Sequence, residues 1–194
     1  MVSQVIELLV SELQDHLRVR GRLEPGEERI LATRFQNPDG TSALPNDRVG
    51  LCLFNVDEER IMKTQNRIVS LVDGQVSYTQ PEVRLNLYLL FAANFGVYQT
   101  ALQHIEWVVA FFQAKRVFTP ANSPRMPAGL DELAVDLYSL TLEQQNYLWS
   151  ILGAKYLPSV AYQVRPVLVQ DDKIDANGAP VLEIQLRDSS ARRT

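Results

Sequence analysis

The sequence holds little from which a metal site or a disulfide framework is made: one cysteine, Cys52, and two histidines, His16 and His104, in 194 residues. A lone cysteine excludes an intrachain disulfide and a four-cysteine zinc site, and it fits a reducing compartment. Each histidine falls on a segment predicted helical, with no second histidine or cysteine at ligand spacing, so no metal is expected. Asp171, Asp172 and Asp175 lack the alternate-position spacing and closing glutamate of an EF-hand loop and read as a solvated acidic turn. Long apolar runs are missing as well. Nothing approaches the ~18 uninterrupted apolar residues of a membrane span, which predicts no direct membrane insertion. The start, Met1-Val2-Ser3-Gln4-Val5, has no basic region, apolar stretch or small-residue cleavage site of a secretory signal, so a cytoplasmic protein is expected. Positive charge is not in excess: 19 Lys and Arg stand against 23 Asp and Glu, a net charge of -4. The only basic cluster, Arg192-Arg193 in the tail, supplies too few phosphate contacts for nucleic acid to be a partner.

Catalytic motifs are absent too. There is no G-x-S-x-G elbow, no G-x-x-x-x-G-K-[ST] phosphate loop and no G-x-G-x-x-G turn after a strand. The adjacent Glu58-Glu59 lies in a polar run, where both carboxylates are hydrated and have ordinary acidity, unsuited to act as an acid and base pair. No catalytic residue and no cofactor are expected, and the chain reads as a non-enzyme. A rival reading keeps a small-molecule-binding or enzymatic α/β domain whose cleft no linear motif reveals.

What is present is apolar periodicity. With 46% hydrophobic residues the chain can fill one core and is too short for two, which predicts a single domain over 1–194. Val2, Val5, Ile6, Leu9, Leu13 and Leu17 recur at helical spacing and predict an N-terminal helix over 2–17. Gly and Pro then punctuate 21–48, which reads mostly as loop, with only 29–35 able to be extended. Arg48 to Val56 and the run Val83 to Phe91 read as strands, the former apolar on both faces. Between them, Asp73-Gly74 separates 67–72 from 75–79 as the turn of a β-hairpin. A long central helix is predicted over 97–115, with Val97, Tyr98, Ala101, Leu102, Ile105, Val108, Val109 and Phe112 on one apolar arc. Leu133, Val135 and Leu137 mark another strand. Thr141 and Gln144 form a capping box for a helix that Gly153 stops. Val160, Tyr162 and Val164 share a face that Val167 and Val169 leave, so a bulge or bend is expected at Pro166. Asn177-Gly178 and Pro180 lead into a terminal amphipathic strand, Val181 to Arg187. The fold class is therefore α/β in the α+β sense: a mixed or antiparallel sheet packed by an N-terminal and a long central helix, followed by a loop, strand and tail over 171–194.

Two features ask for partners. His104, Trp107 and Phe111 are three and four residues apart and lie outside the predicted arc of the central helix, forming a second stripe. The stripe serves either a second layer of the same protein or a subunit contact. Leu182, Ile184 and Leu186 either pair locally with the strand over 159–169 or reach out to add a strand to a neighbour.

Three segments are distinctive together: LNLYLLFAANFG at 85–96, FFQAKRVFTPANSP at 111–124 and LWSILGAKYLPSVAYQVR at 148–165. In this order, behind an N-terminal helix, they resemble the cap, or tail-terminator, family of phage-tail-like extracellular contractile injection systems. The resemblance covers about 2–171. It implies a tail-terminator-like fold and a structural role: a six-membered ring of identical chains that closes the baseplate-distal end of the inner tube and grips the last sheath layer, with tube and sheath proteins as partners. On this reading Trp107, Phe111 and Phe118, with His104, contribute subunit or tube contacts, and the strand bearing Leu182, Ile184, Leu186 and Arg187 engages sheath or tube. The sequence departs from the family pattern at the Asp73-Gly74 hairpin, where many relatives run more directly into the LNLY strand, and at Gly153-Ala154, where a Gly-Gly is expected before the lysine. The chain ends soon after Arg187, so the C-terminal modules of larger relatives are expected to be absent.

Overall fold

The computed structural model describes residues 1–21, 26–59, 68–72, 75–79, 83–169 and 174–178. In chain order the elements are α1 (Val2–Gly21), β1 (Ile30–Ala32), β2 (Arg48–Glu58), β3 (Ile68–Val72), β4 (Gln75–Thr79), β5 (Val83–Asn94), α2 (Tyr98–Ala114), β6 (Val117–Phe118), β7 (Leu133–Leu137), α3 (Leu142–Leu152), β8 (Ser159–Val169) and β9 (Ile174–Gly178). They group into two compact units, one of Met1–Lys63 with Val83–Val169 and a smaller one of Thr64–Glu82 with Gln170–Thr194.

In the larger unit a six-stranded sheet runs in the order β1-β2-β5-β8-β7-β6. The β1 and β2 strands are parallel and every other neighbouring pair is antiparallel, so the sheet is mixed. The central strands are apolar on both faces because both faces are covered. Val49, Leu51, Leu87, Leu89 and Phe91 point one way, into a core shared with Leu9, Leu13 and Leu17 of α1 and Val108 and Phe112 of α2. The alternate residues Cys52, Leu90 and Ala92, with Ala161, point the other way and meet Phe35 and Leu44 of the 33–47 loop and Leu148 and Trp149 of α3. The result is three layers: α1 and α2, the sheet, and α3 with the loop. Gly50 is required here, since a Cβ at that position would lie 2.8 Å from the Phe35 ring and 2.9 Å from the Leu44 side chain.

The expected amphipathic start is realised as α1, whose Val5, Leu8, Leu9, Leu13 and Leu17 are buried and whose Arg18 and Arg20 stand in the last turn, where cations complement the helix dipole. The helix continues past Leu17 to Gly21. Its buried Gln14 holds β1 in place: the side-chain oxygen accepts from the amides of Arg29 (2.7 Å) and Ile30 (3.0 Å), and the side-chain amide donates to the Glu27 carbonyl (2.8 Å). The capping box on α3 is present, with Thr141 Oγ1 accepting from the Gln144 amide and Gln144 accepting from the Thr141 amide, and Gly153 closes the helix at φ 65°. The bend expected at Pro166 is a bulge: Leu85 pairs with Val167 and Leu87 with Val164, so Arg165 and Pro166 together oppose Asn86. That extra residue returns Val167 to the face of Val164, and both are fully buried in the helix-side core.

Two expectations for this unit are corrected. The short strand β6 was not anticipated from the sequence. The buried face of α2 is also rotated from the predicted arc. Ala101, His104, Val108, Phe111 and Phe112 are buried, whereas Tyr98, Leu102 and Val109 are exposed. The helix is apolar over more than half its circumference, and the sheet takes the middle of that arc, leaving a flank on each side.

The smaller unit is a three-stranded antiparallel sheet, β3-β4-β9. Val72 pairs with Gln75, so β3 and β4 form the hairpin expected around the Asp73-Gly74 pair. Asn177 and Gly178, expected in the loop that leads into the terminal strand, instead end β9 and pair with Ser77 and Val76, because ladder pairing overrides the local turn tendency of Asn-Gly. The strand expected over 181–187 lies outside the described residues.

Candidate assembly interface

The residues singled out for partner contacts have different fates. His104, Phe111 and Phe118 are buried within the protomer at 6%, 6% and 0% exposure. Trp107 is partly buried against the same core. The aromatic stripe is thus spent internally: Phe111 lies 5.0 Å from Phe112 and 5.1 Å from the His16 ring, and Phe118 sits under the Lys115 ammonium at 4.8 Å. His104 stacks on Phe95 at 4.1 Å and, through Nδ1, donates to the Thr100 carbonyl at 2.8 Å. Burial lowers the proton affinity of His104, which favours this neutral, singly protonated ring. His104, Phe111 and Phe118 are thus packed within the protomer and are not exposed for a subunit contact in it. Leu182, Ile184, Leu186 and Arg187 lie outside the described residues.

Other side chains present apolar surface outward. On α2, Tyr98, Leu102 and Val109 are 64%, 44% and 37% exposed. Their spacing of four and seven residues, with the half-buried Ile105 between, makes a continuous flank along three turns. On α3, Tyr147 and Ile151, one turn apart, are 58% and 83% exposed. Tyr156 follows the helix and packs edge-on against the buried Trp149 at 5.6 Å. A signal for both surfaces was present in the sequence: α2 carries one carboxylate, Glu106, and α3 carries one, Glu143, and neither helix carries Lys or Arg. Helices facing only water carry more charge on their outer side.

Two concave sites of the larger unit are open and differ in character. A cavity of about 720 Å³ lies between the 36–46 loop and the end of α3, and Lys155 is the one ionisable group among its lining residues. A groove of about 550 Å³ separates α1 from the edge strand β1, and there Asp15 is engaged by Arg18 at 3.2 Å and by Arg125 at 2.9 Å. Shifted ionisable groups have structural causes. The Arg116 and Arg165 guanidiniums hold Asp136 below the usual carboxylate range by clamping it at 2.7 and 3.1 Å across β6, β7 and β8, and burial pushes the Tyr162 phenol up to about 12 and raises the Cys52 thiol. Among the described residues no three His, Cys, Asp or Glu side chains gather as a metal-ligand set, and no helix is long and apolar enough to cross a membrane.

The fold is similar to that of chains in two solved structures. One is a sheath/tube terminator in the extended state from the extracellular contractile injection system PVC, matched over 100% of this chain and 65% of that one at 16% identity with a TM-score of 0.65. The other is the anti-feeding prophage cap, described as the AFP tube terminating cap, matched over 92% of this chain and 59% of that one at 18% identity with a TM-score of 0.51. At these identities the likeness is one of fold, and the chain spans less than two thirds of each neighbour's length. No curated protein matches the sequence. The family described as the Pvc16 N-terminal domain matches residues 4–183, nearly the whole chain, and the chain belongs to that family.

Proposed function

We propose that the chain is the terminating cap of a phage-tail-like contractile injection system, forming a ring, six-membered as in the resemblance described above, that closes the baseplate-distal end of the inner tube and contacts the last sheath layer. The observation that carries this reading is the fold match over the full length of the chain to a sheath/tube terminator, together with membership of the Pvc16 N-terminal domain family. The physical chemistry supports it. A terminator works by geometry: a closed ring has no free end, so it stops a stacked polymer that would otherwise continue. That task needs a rigid core and apolar contact faces, both present here, and no activated nucleophile. The cap is therefore non-enzymatic and takes tube and sheath subunits as its partners, and assembly takes place in the cytoplasm.

Light scattering and negative-stain microscopy of the purified chain, alone and mixed with tube and sheath subunits, test the reading. Rings, or density seated on one end of the tubes, are expected. A monomer that ignores both partners overturns it and returns the binding-domain alternative.

A further inference from the structure

The six-stranded sheet is open along β1. The Val49 amide donates to the Arg29 carbonyl at 2.7 Å and the Thr33 amide to the Leu51 carbonyl at 2.9 Å. Leu31 therefore faces β2, and by alternation Ile30 and Ala32 turn their backbone groups outward. Gln14 Oε1 accepts from the outward Ile30 amide at 3.0 Å, standing in for the carbonyl of a neighbouring strand. Beyond it, the Ile30 carbonyl and the amide and carbonyl of Ala32 have no partner among the described residues. They border the groove between α1 and β1, whose apolar lining is Val10, Ile30, Leu31 and Ala32. A bare strand edge beside an apolar groove takes an added strand: the edge supplies main-chain hydrogen bonds and the groove receives alternate side chains. We propose that residues 181–187 of a second copy of the chain complete this edge, with Leu182, Ile184 and Leu186 turned toward α1.

Pattern, charge and reach single out this occupant. Ile30 lies in the core shared with α1, so an added strand that continues the sheet presents one face to α1 and Val10. The apolar stripe of Leu182, Ile184 and Leu186 suits that face and leaves Glu183 and Gln185 on the other. In the groove, Asp15 is bonded to Arg18 and Arg125, while Glu7 and Glu28 are exposed and make no ion pair. The segment and the residues after it carry Arg187, Arg192 and Arg193 against Glu183 and Asp188, so a net positive strand meets a net negative groove. Reach decides between copies. Val169, where β8 ends, pairs with Val83, whereas β1 lies beside Val49, which pairs with Ala93 at the other end of β5. At about 3.3 Å per residue and 4.8 Å per strand these points are about 36 Å apart, and the connection from Val169 to Val181 spans about 40 Å fully extended. Five of its residues are already committed to β9. A chain reaches its own β1 only along a nearly straight path, a restriction that a neighbour's segment does not share. The inference goes beyond the cap reading and does not require it.

Cysteine pairing in the full chain tests it. In a Cys52→Ala background, one chain carries Ala32→Cys and a second carries a single cysteine in place of Leu182, Glu183, Ile184, Gln185 or Leu186; the two are mixed and oxidised. The strongest heterodimer yield is expected at Leu182→Cys, Ile184→Cys or Leu186→Cys, about fivefold above Glu183→Cys and Gln185→Cys, because only alternate residues of a strand share a face. Equal yields at all five positions, or none above the Ala32→Cys homodimer, overturn the proposal. With Ala32→Cys and Ile184→Cys in one chain, covalent oligomers are expected, and a fast-migrating monomer closed on itself overturns exchange between copies. Ala32→Pro removes only the outward amide, since Leu31 and Thr33 carry the ladder to β2. It is expected to keep the wild-type circular dichroism while moving self-association, read by sedimentation velocity, about tenfold higher in concentration; an unmoved association in this variant counts against the edge. Rings or tube-end density formed by the wild type without the alternating crosslinks would sink the exchange and leave the cap function standing. Alternating crosslinks from a chain that forms neither would uphold the exchange while the cap reading falls.

Discussion

Phe111 illustrates how a residue's neighbours decide its role. On a helical wheel it falls on a stripe that serves a partner as readily as a second layer, and its 6% exposure assigns it to the protomer's own core. Phe111→Ala is expected to cost about 3–5 kcal/mol, the range for emptying a buried aromatic site. Trp107→Ala, at a half-buried position, should cost clearly less, and urea denaturation of the two variants compares them. His104 and His16 make stability depend on pH. Burial lowers the proton affinity of both, so as pH falls through the unfolded value near 6.5 the unfolded chain binds more protons than the folded one. Their neutral forms are accommodated fully above the unfolded value near 6.5, and stability falls as pH drops through it. The urea midpoint is expected to be lower at pH 5 than at pH 7.5, and His104→Gln should make that decline shallower. An unchanged slope in this variant would show that His104 is no more burdened by burial when folded than when unfolded.

At the scale of elements, local chemistry was most legible where it acts within a few residues. The Thr141 and Gln144 capping box, the Gly153 stop and the bulge at Arg165-Pro166 are all where their residue types predict them. Thr141→Ala removes the acceptor for the Gln144 amide and should lower stability by about 1 kcal/mol, measured as a shift in the denaturant midpoint at constant slope. Elements defined by pairing were less legible. Strand β6 is only Val117–Phe118, too short for a periodic signal, and exists because its residues pair with Ala134 and Leu133. Asn177-Gly178 has strong turn chemistry, yet β4 provides a partner strand and the pair ends β9 instead. The α2 face was misplaced for a related reason: its apolar arc is wider than one contact needs, and only the sheet selects the portion to bury.

At the scale of the whole molecule, the larger unit resolves the sequence into one sheet with two covers, and part of its exposed apolar surface is on the outer sides of α2 and α3. A ring that covers such faces couples folding to association. The thermal midpoint of the wild type is then expected to rise with protein concentration, whereas that of a Leu102→Glu, Ile151→Glu double variant should not, and scanning calorimetry over a hundredfold range of concentration distinguishes them. A wild-type midpoint indifferent to concentration would mean that the free chain gains no stability from its neighbours.

The order of the helices and the longer strands, the double-sided burial of β2 and β5, the caps and the bulge were determined by the sequence itself, because each follows from spacing within a window of some ten residues and from side-chain chemistry that acts over one turn or one pair of strands. Membership of the family was legible by resemblance, from three blocks that in the fold become β5, the end of α2 with its following loop, and the end of α3 with β8. Which aromatic and aliphatic side chains stay exposed was not. His104, Phe111 and Phe118 and the exposed Tyr98, Leu102, Tyr147 and Ile151 are the same kinds of residue at the same kinds of spacing. What separates them is which side of each helix the sheet occupies, and that depends on contacts between residues distant in the chain, which only the tertiary structure decides.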